Sequence, residues 1–116
     1  VGASAGGLEA IKEFLKGLPS NINAAIVVVF HLDPTIKSFL HDLIDTVTAL
    51  KVKAVTDNMP LTAGSVYVVP ENQIVSLDGP TLRLSPFEKT TDRRTPIDRT
   101  LMNIAVQAGS RSAAVI

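Results

Sequence analysis

Ala24-Ala25-Ile26-Val27-Val28-Val29-Phe30 is an unbroken apolar run, and its reading decides the fold. A strand with one wet face alternates polar and apolar residues. A continuous run rich in β-branched residues is instead what a strand buried on both faces of a parallel sheet requires. Upstream, Leu8, Ile11, Phe14, Leu15 and Leu18 recur at helical spacing until Pro19-Ser20-Asn21 interrupts them. Still earlier, Val1 reads as the last residue of another strand. Downstream, Leu32-Asp33-Pro34 is a turn, and Ile36, Phe39, Leu40, Leu43, Ile44, Val47 and Leu50 share one face of a second helix. A short strand follows over residues 52–55.

The middle of the chain has a different texture. Val66-Tyr67-Val68-Val69, Ile74-Val75-Ser76-Leu77 and Thr81-Leu82-Arg83-Leu84 are short and are divided by Pro70-Glu71-Asn72 and Asp78-Gly79-Pro80. That spacing predicts hairpins, antiparallel at the sheet edge. Residues 85–94 are polar and read as an exposed, mobile loop. Thr95-Pro96-Ile97-Asp98 then carries a helix start: a capping residue, proline at the first helical position and an acid in the first turn. Ile97, Leu101, Ile104, Ala105 and Ala108 form its apolar stripe, and Gly109 stops it. Ala113-Ala114-Val115-Ile116 reads as the beginning of a further buried strand. The expected architecture is a doubly wound, three-layer α/β domain, its sheet mainly parallel with an antiparallel edge. Residues 1–116 are expected to be one partial domain, with the C-terminal part missing beyond the strand near Ala113.

Composition removes several functional classes. The 116 residues are 46% hydrophobic and carry 11 basic and 11 acidic side chains. Such a balance offers no electrostatic footing for nucleic acid or a membrane surface. No apolar stretch in these residues approaches the length of a membrane span or reads as a signal peptide. Cysteine is absent, which excludes disulfides, a thiolate nucleophile and a Cys-based metal site, and fits a cytoplasmic protein.

Chemistry concentrates at Val1-Gly2-Ala3-Ser4-Ala5-Gly6-Gly7. Here a serine sits in a Gly-x-Ser-x-Gly frame between a strand end and a helix start, the signature of a nucleophile elbow. The loops at the carboxyl ends of parallel strands share one edge, where ligands bind. Ser4 follows the first strand and His31 the second, so the two can meet across one crevice. A serine hydroxyl needs such a base to become a nucleophile. His41, mid-helix, reads as solvated. Asp33, Asp57 and Asp98 are the available third members. Asp33 is too near His31 in sequence to reach round its ring easily, and Asp98 reads better as a helix-start acid. On spacing alone the triad is incomplete. The same glycine-rich turn is open to other readings. One is a phosphate cradle at a helix N-terminus, although neither the Gly-x-Gly-x-x-Gly spacing nor a Walker lysine is present. The other is a non-catalytic interaction module.

The run from Val1 to Ala10, with a strand ending in His31, resembles the catalytic domain of CheB-type chemotaxis methylesterases. Ala63-Gly64-Ser65-Val66-Tyr67-Val68-Val69-Pro70 is similar to that family's "PGxxYxxP" stretch, and residues 94–98 to its "RPSVD" segment. Ser4-Ala5-Gly6-Gly7-Leu8-Glu9-Ala10 and His31-Leu32-Asp33-Pro34 look closest to variants fused to a CheR-type methyltransferase. The resemblance implies cofactor-free hydrolysis of glutamate methyl esters on the cytoplasmic segment of chemoreceptors, with glutamine deamidation as a second activity. A fused methyltransferase or regulatory domain is an implied partner. Carried over by position, Ser4 is the nucleophile, His31 the base, and the Ala5 backbone amide an oxyanion donor. Two departures stand out. Phe30 replaces the family's usual glutamine, removing a polar group near the site, and the family's triad aspartate falls beyond Ile116. Loss of that acid costs about 10⁴-fold in turnover, so the 116-residue piece is expected to be nearly inactive. Its uncovered sheet edge is expected to promote self-association.

Overall fold

A computed structural model of the chain describes residues 1–31, 40–88 and 95–116. The strongly apolar run forms β2 (Ile26–His31), placed between β1 (Gly2–Ser4) and β5 (Ser65–Val68), with β3 (Lys51–Ala54) outside β5. Every pairing in this four-stranded sheet is parallel. The strand around Val66 was expected among the antiparallel hairpins. It lies instead inside the parallel sheet, and burial of all four residues of β5 reflects that position. A second sheet is antiparallel: β4 (Met59–Pro60), β7 (Thr81–Pro86) and β6 (Gln73–Asp78), with β6 and β7 joined as the expected hairpin. Gly79 takes the positive φ of 57° that its tight turn requires.

The first helix, α1 (Leu8–Lys16), begins where its apolar periodicity begins and is preceded by a 3-10 turn over Ala5–Gly7. The second helix is described as α2 (Leu40–Asp45), and the expected turn at 32–34 and helix start at 36–39 lie outside the described residues. The third, α3 (Pro96–Ala108), starts with proline in its first turn, as expected, although Thr95 makes no side-chain cap bond. Ser85 and Pro86, expected in a loop, complete β7, and residues 89–94 lie outside the described residues.

Two apolar clusters sandwich the parallel sheet. On one face Ile11 and Leu15 of α1 and Leu40 and Ile44 of α2 pack with Ile26, Val28, Phe30, Val66 and Val68. On the other, Val29, Tyr67 and Val69 pack with Val75 and Leu82 of the second sheet and with Ile97 of α3. Strand alternation explains the division, because odd and even positions of β2 face opposite ways. Residues 113–116 depart from expectation: they are exposed and form no strand. One backbone bond, from the Gly2 amide to the Val115 carbonyl (2.9 Å), ties them to the outer edge of β1.

Candidate active site

Strand β1 runs further than the sequence indicated. Val1 is already within the ladder, its carbonyl accepting the Val29 amide at 2.9 Å, and Ser4 is the last strand residue. The parallel register sets Gly2 opposite Val29, Ala3 opposite Phe30 and Ser4 opposite His31. Ser4 and His31 therefore sit side by side at the carboxyl ends of neighbouring strands, both exposed. Residues paired across a parallel ladder project to the same face, about 4.8 Å apart. That face is the one covered by α3, because Val29, two residues before His31, belongs to the α3-side cluster. Among the described residues no hydrogen bond joins the two side chains.

The serine loop is not a strained elbow. Ser4 has φ −83° and ψ 180°, ordinary extended backbone, and Gly7 has φ −89°. The glycines instead serve proximity. A Cβ on Gly2 would strike the Ile97 Cγ2 methyl, one on Gly7 would fall 2.5 Å from the Ala3 Cβ, and one on Gly6 would meet nothing within 4 Å. Only Gly6 leaves open space beside Ser4. Ala5 opens the 3-10 turn that runs into α1, which sets its amide at the head of a helical segment. A cavity of about 270 Å³ lies along the outer edge of β1, lined by Ser4, Ala3 and Gly7, by Ala10, Ile11 and Phe14 of α1, and by Val115 and Ile116.

The remaining sequence candidates take other places. Asp57 binds the second sheet: its Oδ1 accepts the Leu84 amide at 2.9 Å and Arg83 Nε at 3.1 Å. The Leu84 amide, with help from Arg83, holds the Asp57 carboxyl below the usual carboxylate range despite some desolvation. Asp98 is exposed in the first turn of α3, and Asp33 lies outside the described residues. Among the described residues no carboxylate bonds His31. His41 is not simply solvated. Its Nδ1 lies 3.3 Å from Asp42 Oδ1 and its Nε2 lies 3.1 Å from the Val52 carbonyl of β3. Two acceptors suit a ring that donates from both nitrogens, so Asp42 first and Val52 second raise its pKa. The Phe30 departure also changes meaning. Phe30 is buried in the α1–α2 cluster, on the face opposite Ser4 and His31.

These features define an α/β protein with a serine and a histidine in register at the carboxyl edge of its parallel sheet. Residues 1–116 match the family model described as CheB methylesterase, and the chain belongs to that family. It is 29% identical, over its full length, to 35% of a protein-glutamate methylesterase/protein-glutamine glutaminase of Methanosarcina acetivorans. It is 30% identical, again over its full length, to 33% of a counterpart from Hahella chejuensis. The chain thus spans about a third of the curated relatives it matches. The crystal structure of the Thermotoga maritima CheB methylesterase catalytic domain superposes with a TM-score of 0.79 at 28% identity, covering 90% of this chain and 58% of that one. No helix among the described residues is long and apolar enough to cross a membrane.

Proposed function

We propose that this chain carries the nucleophile and base of a protein-glutamate methylesterase acting on methylated chemoreceptors. The observation that supports it most is the register of Ser4 opposite His31 at the carboxyl end of two adjacent parallel strands. His31 takes the Ser4 hydroxyl proton as Oγ attacks the γ-carbonyl of a glutamate methyl ester. The resulting oxyanion is stabilised by amides at the head of the Ala5–Lys16 helical segment, that of Ala5 first. Collapse of this intermediate breaks the C–OCH3 bond, and methanol leaves with the proton from the imidazolium. Water, deprotonated by His31, then attacks the acyl-serine and restores Ser4 with a free glutamate carboxylate. A glutamine side chain would follow the same course and release ammonia. The cycle transfers an acyl group and protons with no change of oxidation state, so it calls for no cofactor.

The names of the Methanosarcina and Hahella relatives, which pair esterase with glutaminase, support this substrate class. Methanol release from a glutamate γ-methyl ester peptide, measured with the full-length protein, tests it. Ser4→Ala is expected to lower the rate by about 10⁴-fold or more. An unchanged rate overturns the assignment and leaves a non-catalytic module.

A further inference from the structure

The strand that carries Ser4 is short, and register alone does not place its hydroxyl within proton-transfer reach of His31, which requires about 2.6–3.2 Å. Something must set the height and twist of β1 against β2. On the face that Ser4 and His31 share, α3 supplies a contact that glycine alone permits. Ile97 lies against Gly2 so closely that any Cβ at that position would collide with its Cγ2 methyl. Gly2 is buried and stands opposite Val29, and Ile97 packs against the cluster that contains Val29. Ile97 is thus seated one pleat repeat below the Ser4–His31 pair, about 7 Å along the strands. The other face of β1 is held as well, where Gly7 closes on Ala3. Between these two contacts the strand has little freedom to rotate.

We propose that Ile97 is a positioning residue for the Ser4–His31 pair, its β-branch methyl acting as a wedge on the Gly2 backbone. The inference rests on the reading of Ser4 and His31 as nucleophile and base. Its physical basis is that a misplacement of about 1 Å at reacting groups costs on the order of 10²-fold in rate. The β-branch matters more than the volume, because Cγ2 is the atom that meets Gly2. Valine keeps that methyl. Leucine keeps the volume and moves the branch outward.

Four variants of the full-length protein separate the possibilities: Ile97→Val, Ile97→Leu, Ile97→Ala and Ser4→Ala. Each is followed by kcat and KM for methanol release from a glutamate γ-methyl ester peptide, by the rate of labelling with a fluorophosphonate, and by Tm. Ile97→Val is expected to keep kcat within about twofold. Ile97→Leu and Ile97→Ala are expected to lose about 10- to 100-fold in kcat and in labelling rate, with KM within about threefold. Leucine is expected to do so while melting close to the parent, which a purely structural role would not produce. Equal kcat for the valine and leucine variants overturns the proposal, even where the alanine variant is unstable. A dead Ser4→Ala beside a fully active Ile97→Leu removes the positioning role alone. A fully active Ser4→Ala removes the nucleophile reading and the positioning role with it.

Discussion

Tyr67 and Ser4 rise from the same parallel sheet, and their surroundings are opposites. Tyr67 is fully buried, and its hydroxyl accepts the Thr62 amide at 2.8 Å, donates to the Pro60 carbonyl at 3.1 Å and lies 3.0 Å from Thr62 Oγ1. Lys53 reaches over its ring, 5.8 Å from the centroid. Ser4 and His31 stand at the carboxyl edge, exposed, with no bond between them. Hydrogen bonds that are all satisfied hold one arrangement in place, and Tyr67 fastens the β4–β5 connection in that way. The nucleophile role proposed for Ser4 requires access to a substrate, so its geometry would come from the backbone and the packing beneath it. At Ser4 those supports are Gly2 against Ile97 and Gly7 against Ala3.

Substitutions can break this contrast. The largest effect is expected from chemistry: Ser4→Ala should lower turnover by about 10⁴-fold or more, and its urea midpoint should stay near that of the parent, because no side-chain cap bond is lost. Next are the two glycines after Ser4. Gly7→Ala should cost about 1–3 kcal/mol in urea unfolding, since neither Ala3 nor the turn can yield easily. Gly6→Ala, with open space around it, should stay within about 0.5 kcal/mol. Equal costs would show that the loop is not supported from beneath. Tyr67→Phe should lose about 1 kcal/mol and leave kcat unchanged, because water can reach the freed groups of exposed Thr62 and Pro60. A fall in kcat would join the two regions.

The smallest effects are pH-dependent, and they arise away from the site. Asp57 is held low by the Leu84 amide and Arg83. Its contribution is therefore present above the unfolded carboxylate pKa of about 3.9 and is lost as pH falls through the lowered folded value. His41 is held high by Asp42 and Val52, so its contribution is complete below about 6.5 and is lost as pH rises through the raised folded value. Urea midpoints measured across pH should drop at both ends. Asp57→Asn should flatten the acid limb only, and His41→Gln the upper limb only. Both groups are substantially exposed, so these changes are slight.

Much of the architecture could be read in short windows. The run at 24–30, the periodicity from Leu8 and the proline at the start of α3 each act over a few residues, and each appears as expected. The place of Val66–Val69 in the parallel sheet was not legible, because a short apolar strand between turn residues looks alike in either setting. Lys51 and Lys53 on β3 fit an outer strand, but only the pairing shows that β5 lies inside it. Residues 113–116 have the apolar composition of a buried strand and are exposed. Phe30 adjoins His31 in a strand, so alternation alone already turns it to the opposite face.

Residue types and their local spacing were enough to establish an α/β chain with a serine loop and a histidine-terminated strand, because strand and helix signals act between near neighbours. Tertiary structure alone decided that Ser4 and His31 share a register and a face, that Asp57 belongs to the second sheet, and that Ile97 fills the place a Gly2 side chain would take. These relations join residues distant in sequence. They depend on which strands pair and how closely a helix can approach a glycine, and no local pattern encodes either.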